Sequence, residues 1–214
     1  MIPNNIILTY KNNKIPSYII SNIKKLNPEK DVLFFSDEDV IRFLKREYDQ
    51  SYVDFFHTLR RGCTKGDFFR YCYLLKRGGY YCDIDIEHKV PISSYVIKDL
   101  NFFSVISAIG PMIFQALLYT EKDNEIVYEC IKDIMKPETA QHEFYYTTED
   151  MYKNVSKLMN KQELRMGQYQ AGNINIQLAQ EVSLGSKYAC IYQGRVIAMS
   201  RYENYTRGLG FLTK

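Results

Sequence analysis

The sequence predicts an α/β protein whose mixed, mostly parallel central sheet is flanked by helices, in a single domain. In the first half, short apolar runs alternate with stretches whose apolar residues recur at helical spacing, which is typical of a parallel α/β sheet. The 214 residues, 46% of them hydrophobic and 25% charged, suffice for one sizeable core. No internal repeat, low-complexity tract or linker divides the chain, so we expect one domain over residues 1–214.

The first half supplies strands and helices in turn. Asn27-Pro28 ends the first helix, and Ser36 with Asp39 forms a capping box that opens the second. The predicted elements are a strand at residues 6–10, a helix at 19–26, a strand at 32–35, a helix at 40–48 and a weaker helix at 51–61.

The stretch from residue 65 to 87 is the centre of the chain. Thr64 and Asp67 form a capping-box-like start for a helix, and Gly78-Gly79 ends it in a tight turn. A buried strand is predicted to follow over residues 80–86, with Tyr80, Cys82, Ile84 and Ile86 on one face.

Two carboxylates stand on the other face of that predicted strand. Asp83 and Asp85 would point the same way with Cα atoms roughly 6–7 Å apart. Like charges side by side are unfavourable unless a divalent cation or a ring of hydroxyl donors compensates them. The alternative is a solvated strand end with two surface acids.

Fewer motifs guide the prediction of secondary structure in the second half of the chain. We expect a strand at residues 102–109, a helix at 112–120 after Gly110-Pro111, a helix at 126–134 and a helix at 147–159 capped by Thr147 and Asp150. Residues 168–175 are expected to form a loop, and residues 188–199 a hairpin around Gln193-Gly194.

Composition excludes several classes of protein. A net charge of +3 is too small to indicate nucleic-acid binding. Five scattered cysteines indicate free thiols in a reducing compartment. The N-terminus lacks a signal-peptide pattern, and the uncharged run at residues 100–120 is broken by Gly110-Pro111, so we expect no transmembrane segment and a cytoplasmic location, including one peripheral to a membrane.

The central stretch resembles the sugar-binding, DXD-containing region of glycosyltransferase family 32 and its relatives, which include capsular and mannosyl sugar transferases and the clostridial glucosylating toxins. The matching pieces have fixed spacing over about twenty residues. They are Gly66-Asp67, Arg70-Tyr71, Gly78-Gly79, Tyr81 and Asp83-Ile84-Asp85, and upstream Ile2-Pro3, Ile6, Thr9-Tyr10, Asn27-Pro28 and Ser36-Asp37-Glu38-Asp39.

The resemblance implies a GT-A fold of Rossmann-like type, with a nucleotide-sugar-binding half at residues 1–95 and an acceptor-side half at 96–214. It implies a UDP-sugar as donor, a glycan or glycoprotein as acceptor, Mn²⁺ or Mg²⁺ as cofactor and retention of configuration. Asp83, Asp85 and Arg70 are the implied catalytic residues. The implied donor-binding residues are Thr9, Tyr10, Asp67, Arg70, Tyr71, Asp83, Ile84 and Asp85.

Individual roles follow from the same resemblance. Asp83 is expected near the ribose and the metal, Asp85 is expected to bind the metal directly, and Asp67 and Arg70 to reach sugar hydroxyls and ribose. A surface ion pair is the alternative for Asp67 and Arg70, at i and i+3. Tyr10, at a strand's carboxyl end, either stacks on the base or packs as an ordinary tyrosine.

The C-terminal end departs from the family, which has a histidine and a Ser-Trp pair there. Glu203 or Asn204 is a candidate third metal ligand, and Arg201 or Arg207 a candidate diphosphate contact, against the alternative of a solvated tail. His57, His88 and His142 are scattered, and we interpret each as surface or structural.

Two other hypotheses remain open. A haloacid-dehalogenase-type phosphohydrolase also carries D-x-D after a buried strand, although Glu87 does not fit its motif. A non-catalytic domain that binds a nucleotide sugar would show the same residues. An EF-hand is excluded, because position 88 is histidine where the loop needs glycine. The sequence's composition suggests a viral or bacterial glycosylation gene.

Overall fold

The structure is a computed structural model, and it describes residues 4–137, 147–161, 163–185 and 187–200. The strands are β1 (Asn5–Thr9), β2 (Asp31–Phe35), β3 (Gly79–Cys82), β4 (Ile86–His88), β5 (Phe102–Ile106), β6 (Ile113–Thr120), β7 (Gly167–Ala171), β8 (Ile174–Leu184), β9 (Lys187–Tyr192) and β10 (Arg195–Ser200). The helices are α1 (Ser17–Leu26), α2 (Asp37–Glu47), α3 (Gln50–Thr58), α4 (Gly62–Arg77), α5 (Glu125–Ile134) and α6 (Thr147–Leu158), with a short 3-10 helix at Ile92–Ser94.

All the described strands belong to one mixed sheet. Its order is β2-β1-β3-β6-β5-β8-β9-β10-β4, and β7 pairs with β8. Pairing is parallel within β2-β1-β3 and between β5 and β8, and antiparallel elsewhere. The sequence prediction of an α/β fold with a mixed sheet flanked by helices is confirmed; of the nine strand pairings among the described residues, three are parallel and six are antiparallel.

The sheet curls back on itself. Only residues 83–85 separate β3 from β4 along the chain, yet β4 pairs with β10 at the far end of the strand order. The described chain ends at Ser200, whose register partner is Ile86. The end of β10 therefore lies beside the residue that follows Asp85.

Two apolar cores cover the two faces of the sheet. One core joins α2 to α6 with Ile7, Tyr81 and Leu118 of the sheet. The other joins α1 and the 3-10 helix with Ile6, Leu8 and Tyr80. Because adjacent strand residues face opposite sides, Tyr80 and Tyr81 anchor different cores.

The structure confirms several predicted helix ends and the predicted hairpin. Ser36 and Asp39 form both hydrogen bonds of the capping box at α2, and α1 ends at Leu26 with Asn27 as its C-cap. Gly78 ends α4 with φ of 63°, and a Cβ there would lie 2.8 Å from the Lys122 backbone nitrogen. The expected hairpin forms as β9 and β10, with Gln193 and Gly194 at positive φ.

Three local assignments outside residues 80–86 were wrong. Residues 112–120 form strand β6 rather than a helix, and residues 168–175 form β7 and the start of β8 rather than a loop. Helix α4 begins at Gly62 after Arg61, so Thr64 lies inside it rather than capping it. The hydroxyl of Thr147, predicted as a helix cap, is bonded to Asp67 and Gln115.

The first two errors have different physical reasons. β6 is buried on both faces between β3 and β5, so it shows a mostly apolar run that periodicity cannot distinguish from a buried helix. β7 lies outside the main strand path and pairs with β8, where its polar residues are tolerated.

No helix in the described ranges is long and apolar enough to cross a membrane. All five cysteines are free thiols, as expected, and four of them are buried. His57 is exposed, His88 is buried with its pKa lowered to about 4 by burial, and His142 lies outside the described residues.

One buried hydroxyl provides a stability prediction. Thr120, in β6, is fully buried, and its Oγ1 has no hydrogen-bond partner in the described part of the chain. Thr120→Val should raise the free energy of unfolding by about 1 kcal/mol, because it removes an unpaired polar group while keeping the shape. Urea denaturation of the variant and the parent measures this, and a clear loss of stability would contradict it.

Candidate active site at the carboxyl edge of the sheet

The carboxyl ends of three parallel strands meet at one edge of the sheet. β1 lies between β2 and β3, with Thr9 beside Phe35 and Ile7 beside Tyr81. β3 ends at Cys82, so Asp83 directly follows the strand at this edge. This edge is where parallel α/β sheets bind their ligands.

The two aspartates lie in a turn and not on one strand face, so this part of the prediction was wrong. β3 ends at Cys82, and the Ile86 N–H donates to the Asp83 carbonyl at 3.2 Å, which closes the turn. The Asp83 N–H donates to the Ala116 carbonyl at 3.0 Å and ties the start of the turn to β6. The turn allows the chain to leave β3 and enter β4.

Asp83 is held by one of its two oxygens. Arg70 Nη2 donates to Asp83 Oδ1 at 3.1 Å, and the Tyr81 hydroxyl donates to the same oxygen at 2.9 Å. The Asp83 side chain is 33% exposed. The carboxylate is thus fixed from the protein side through Oδ1, while Oδ2 has no hydrogen-bond partner among the described residues.

Arg70 is buried and is not a member of a surface ion pair. Its side chain is only 4% exposed, and its Nη2 also lies 3.0 Å from Asp67 Oδ1. Nη1 donates to the Gln115 carbonyl at 2.6 Å, and Nε to the Gly66 carbonyl at 3.4 Å. Every nitrogen of the guanidinium therefore has a protein acceptor.

The charges around Arg70 stabilise one another. Burial would lower the pKa of Arg70, but the charge of Asp83, acting together with the neighbouring Tyr81 and Asp67, raises that pKa above its ordinary value. The guanidinium also lies over the Tyr81 ring, 4.4 Å from its centroid. Burial, followed by the charge of Asp83, raises the pKa of Tyr81 well above its usual value, so Tyr81 remains a hydrogen-bond donor.

Asp67 is the second carboxylate on Arg70. Besides its contact with Arg70, it accepts a hydrogen bond from the Thr147 hydroxyl at 2.5 Å, and its side chain is 15% exposed. Burial raises the pKa of the Asp67 carboxyl above its ordinary value, against the opposing effects of Arg70 and Thr147. Asp67 and Asp83 are thus bridged by one guanidinium.

Residues outside the sequence motif complete this network. Gln115 Nε2 donates to Thr147 Oγ1 at 2.7 Å, and Gln115 Oε1 accepts from the Tyr71 hydroxyl. The sequence analysis assigned no role to Gln115 and only a capping role to Thr147. Spacing could not reveal them, because Gln115 and Thr147 are distant in sequence from Asp67.

The remaining donor-binding candidates border the same edge. Thr9 Oγ1 donates to the Phe35 carbonyl at 2.9 Å, and the Tyr10 N–H donates to the same carbonyl at 3.1 Å. Helix α4 approaches closely at Gly66, where an added Cβ would lie 3.8 Å from Thr9 Cγ2. Tyr10 and Ile84 are both partly exposed, and Ile84 packs against the core on the α1 side.

The acidic residues alone do not form a complete metal centre in the described ranges. No group of three histidine, cysteine, aspartate or glutamate side chains is positioned there to hold a metal ion. Asp83 and Asp85 are the carboxylates at the turn. Arg201, Glu203, Asn204 and Arg207, the C-terminal candidates, lie outside the described residues.

Comparison with known proteins gives a match for this region and for the fold. Residues 16–102 match the family model described as "Glycosyltransferase sugar-binding region containing DXD motif", and the DXD in that segment is Asp83-Ile84-Asp85. The chain is similar to the solved structure titled "PaToxG Glycosyltransferase", with a TM-score of 0.57 and 13% identity over 73% of this chain and 69% of that chain. No curated protein sequence matches.

The two matches agree with each other. The structural likeness, at low identity, shows a fold of GT-A-like type, and the segment that matches the DXD family model carries Asp83-Ile84-Asp85 at the carboxyl edge of that fold. The expected resemblance to DXD glycosyltransferases is confirmed. The narrower likeness to family 32 stays a prediction.

Proposed function

We propose that this chain is a metal-dependent glycosyltransferase that moves a sugar from a UDP-sugar to a hydroxyl of a glycan or glycoprotein, with retention. The observation that carries the proposal is the Asp83 carboxylate, which Arg70 and Tyr81 hold by Oδ1 at the carboxyl edge of the sheet. It lies next to Asp85 in the segment that matches a glycosyltransferase sugar-binding model.

The donor occupies the edge formed by β1, β3 and the start of α4. Tyr10 and Thr9 flank the nucleotide, Asp83 meets the ribose through Oδ2, and Asp67 accepts hydrogen bonds from sugar hydroxyls. Arg70, Tyr71 and Ile84 support this surface. Since Arg70 is only 4% exposed, its main part is to hold Asp67 and Asp83 in place.

The residues present fit a divalent cation. Mg²⁺ and Mn²⁺ take oxygen ligands and are commonly bound by one or two carboxylates together with substrate phosphates. Asp83 Oδ2 and Asp85 would supply the carboxylates, and diphosphate oxygens the rest. When bound, the ion neutralises the negative charge that develops on the leaving diphosphate.

The proposed sugar transfer needs no nucleophile from the protein. An acceptor hydroxyl oxygen bonds to the anomeric carbon as the bond from that carbon to the diphosphate oxygen breaks. The hydroxyl proton passes to the leaving phosphate, and the products are the glycoside and the nucleoside diphosphate. The protein's part is to hold and orient the two substrates and to stabilise developing charge.

The C-terminal candidate residues follow Ser200 in the sequence, and the position of Ser200 is the reason to include them in the proposal. Ser200 lies opposite Ile86, so the chain continues from the neighbourhood of Asp85. We assign Glu203 or Asn204 to the metal and Arg201 or Arg207 to the diphosphate. Within a single domain over residues 1–214, residues 1–95 bind the nucleotide sugar, and residues 96–214 form the acceptor side.

Donor binding should depend on the metal, because two carboxylates and a diphosphate would repel one another without a cation between them. Calorimetry with UDP-glucose should give at least about tenfold tighter binding in the presence of Mn²⁺ than with a chelator, which corresponds to about 1.4 kcal/mol.

The chelator titration is also the control for the cation bridge. Equal affinity with Mn²⁺ and with chelator would rule out a metal held between the protein and the diphosphate. Release of UDP from UDP-glucose with an acceptor present tests the transfer itself and separates an enzyme from a domain that binds nucleotide sugar without turning it over.

A further inference from the structure

Three buried side chains form a polar chain behind the donor site. Tyr71 of α4, Gln115 of β6 and Thr147 of α6 are each at most 4% exposed. Tyr71 donates to Gln115 Oε1, Gln115 Nε2 donates to Thr147 Oγ1 at 2.7 Å, and Thr147 donates to Asp67 Oδ2 at 2.5 Å. The chain thus begins at a phenol and ends on a carboxylate.

The hydrogen bonds of this chain run in one direction. Thr147 has a single hydroxyl proton, and because its oxygen already accepts from the Gln115 amide, that proton is available to Asp67. The Tyr71 hydroxyl donates to the amide oxygen of Gln115, and the amide nitrogen faces Thr147. The three residues therefore present a donor to Asp67 Oδ2 and keep that oxygen in one place.

Gln115 also acts on Arg70. Its backbone carbonyl accepts from Arg70 Nη1 at 2.6 Å, while Arg70 Nη2 contacts Asp67 Oδ1 and Asp83 Oδ1. Gln115 thus helps to position both oxygens of Asp67: Oδ2 through Thr147 and Oδ1 through Arg70. Gln115 and Thr147 lie outside the matched segment, residues 16–102.

We infer that Gln115 and Thr147 are positioning residues that set the Asp67 carboxylate for recognition of the donor's sugar. This rests on the proposed function, in which Asp67 meets sugar hydroxyls. Loss of an outer hydrogen-bond partner typically costs about 10- to 100-fold where the partner orients a functional group. When a hydrogen bond of this polar chain is removed, binding of the sugar part of the donor should weaken, and binding of the nucleotide part should not.

Thr147→Val tests the inference, because valine keeps the shape of threonine and removes the hydroxyl. In the presence of Mn²⁺, the Kd for UDP-glucose should rise about tenfold or more, while the Kd for UDP stays within about twofold. Thr147→Ser keeps a hydroxyl and should restore most of the UDP-glucose affinity. A merely structural role would weaken both ligands together.

The matched control is Thr120→Val, the same chemical change at another buried threonine. Its Oγ1 has no partner among the described residues, so both affinities should equal those of the parent. Melting temperatures recorded beside the affinities show whether each variant is folded. If Thr147→Val does not fold, Tyr71→Phe replaces it as the test. This change removes the hydrogen bond to Gln115, further from Asp67, and should weaken UDP-glucose binding by less while again leaving UDP binding unchanged.

The outcomes separate this inference from the proposed function. A parent that binds UDP and UDP-glucose, with a folded Thr147→Val variant that binds both equally well, would overturn the positioning role and leave the proposed function standing. Equal weakening of UDP and UDP-glucose would also overturn it. A parent that binds neither ligand would overturn both.

Discussion

Replacing Asp85 by asparagine should lower sugar transfer by at least about a hundredfold, which corresponds to about 2.7 kcal/mol of transition-state stabilisation. The amide keeps the shape of the carboxylate but loses the charge that would hold the divalent ion. Asp85 lies in the tight turn between β3 and β4 with Asp83, so its removal also relieves repulsion between like charges in the protein without metal.

Melting temperatures separate loss of charge from loss of fold. Without ligand, Asp85→Asn should melt at the parent's temperature or slightly above it. With Mn²⁺ and UDP-glucose it should gain much less than the parent, because stabilisation by a ligand follows its affinity. An inactive variant that is unfolded would make Asp85 structural. A folded variant with normal transfer would contradict its assignment to the metal.

Arg70→Lys should have the second large effect, on stability and turnover together. Lysine has a compact ammonium group, which does not reproduce the planar guanidinium. In the buried site it cannot reach the carbonyls of Gly66 and Gln115 and the carboxylates of Asp67 and Asp83 together. We expect a loss of about 2–3 kcal/mol in the free energy of unfolding, since hydrogen bonds to a buried charge are lost.

Turnover of Arg70→Lys should fall at least about tenfold, because Asp83 would lose one of the two donors that hold its Oδ1. Urea denaturation measures the stability, and UDP release measures the turnover. Arg42→Lys is the matched control: Arg42 is 69% exposed and pairs with Asp39, so its effect should stay within about 0.5 kcal/mol. Parental stability and turnover in Arg70→Lys would show that the bridge between Asp67 and Asp83 is dispensable.

At the candidate site, the sequence predicted contacts within one helix but not the contacts between distant segments. The pair Asp67 and Arg70 was correctly placed on one helix face, because i and i+3 residues are neighbours in any helix. Whether that face met solvent depended on what packed over it. Gln115 and Thr147 cover it from β6 and α6, and these contacts join residues that are far apart in sequence.

Strand and helix assignments failed for a related reason. At residues 112–120 the apolar run is compatible with a strand or a helix, and pairing with β3 and β5 decided for the strand. At residues 83–85 a continuous strand was expected from alternation, but the curl of the sheet requires the chain to leave β3 after Cys82 and to enter β4 beside β10. Neither partner strand is visible in the local pattern.

The sequence by itself determined the features that depend on neighbouring residues: the α/β alternation, the capping box at Ser36 and Asp39, the glycine exit at Gly78 and the motif that contains Asp83 and Asp85. Only the tertiary structure decided that Arg70 is buried, that it bridges Asp67 and Asp83, and that a polar chain from Tyr71 through Gln115 and Thr147 ends on Asp67. The physical reason is that burial and hydrogen-bond partners arise from chain segments brought together by the sheet and its covering helices, whereas caps and turns are satisfied within a few residues.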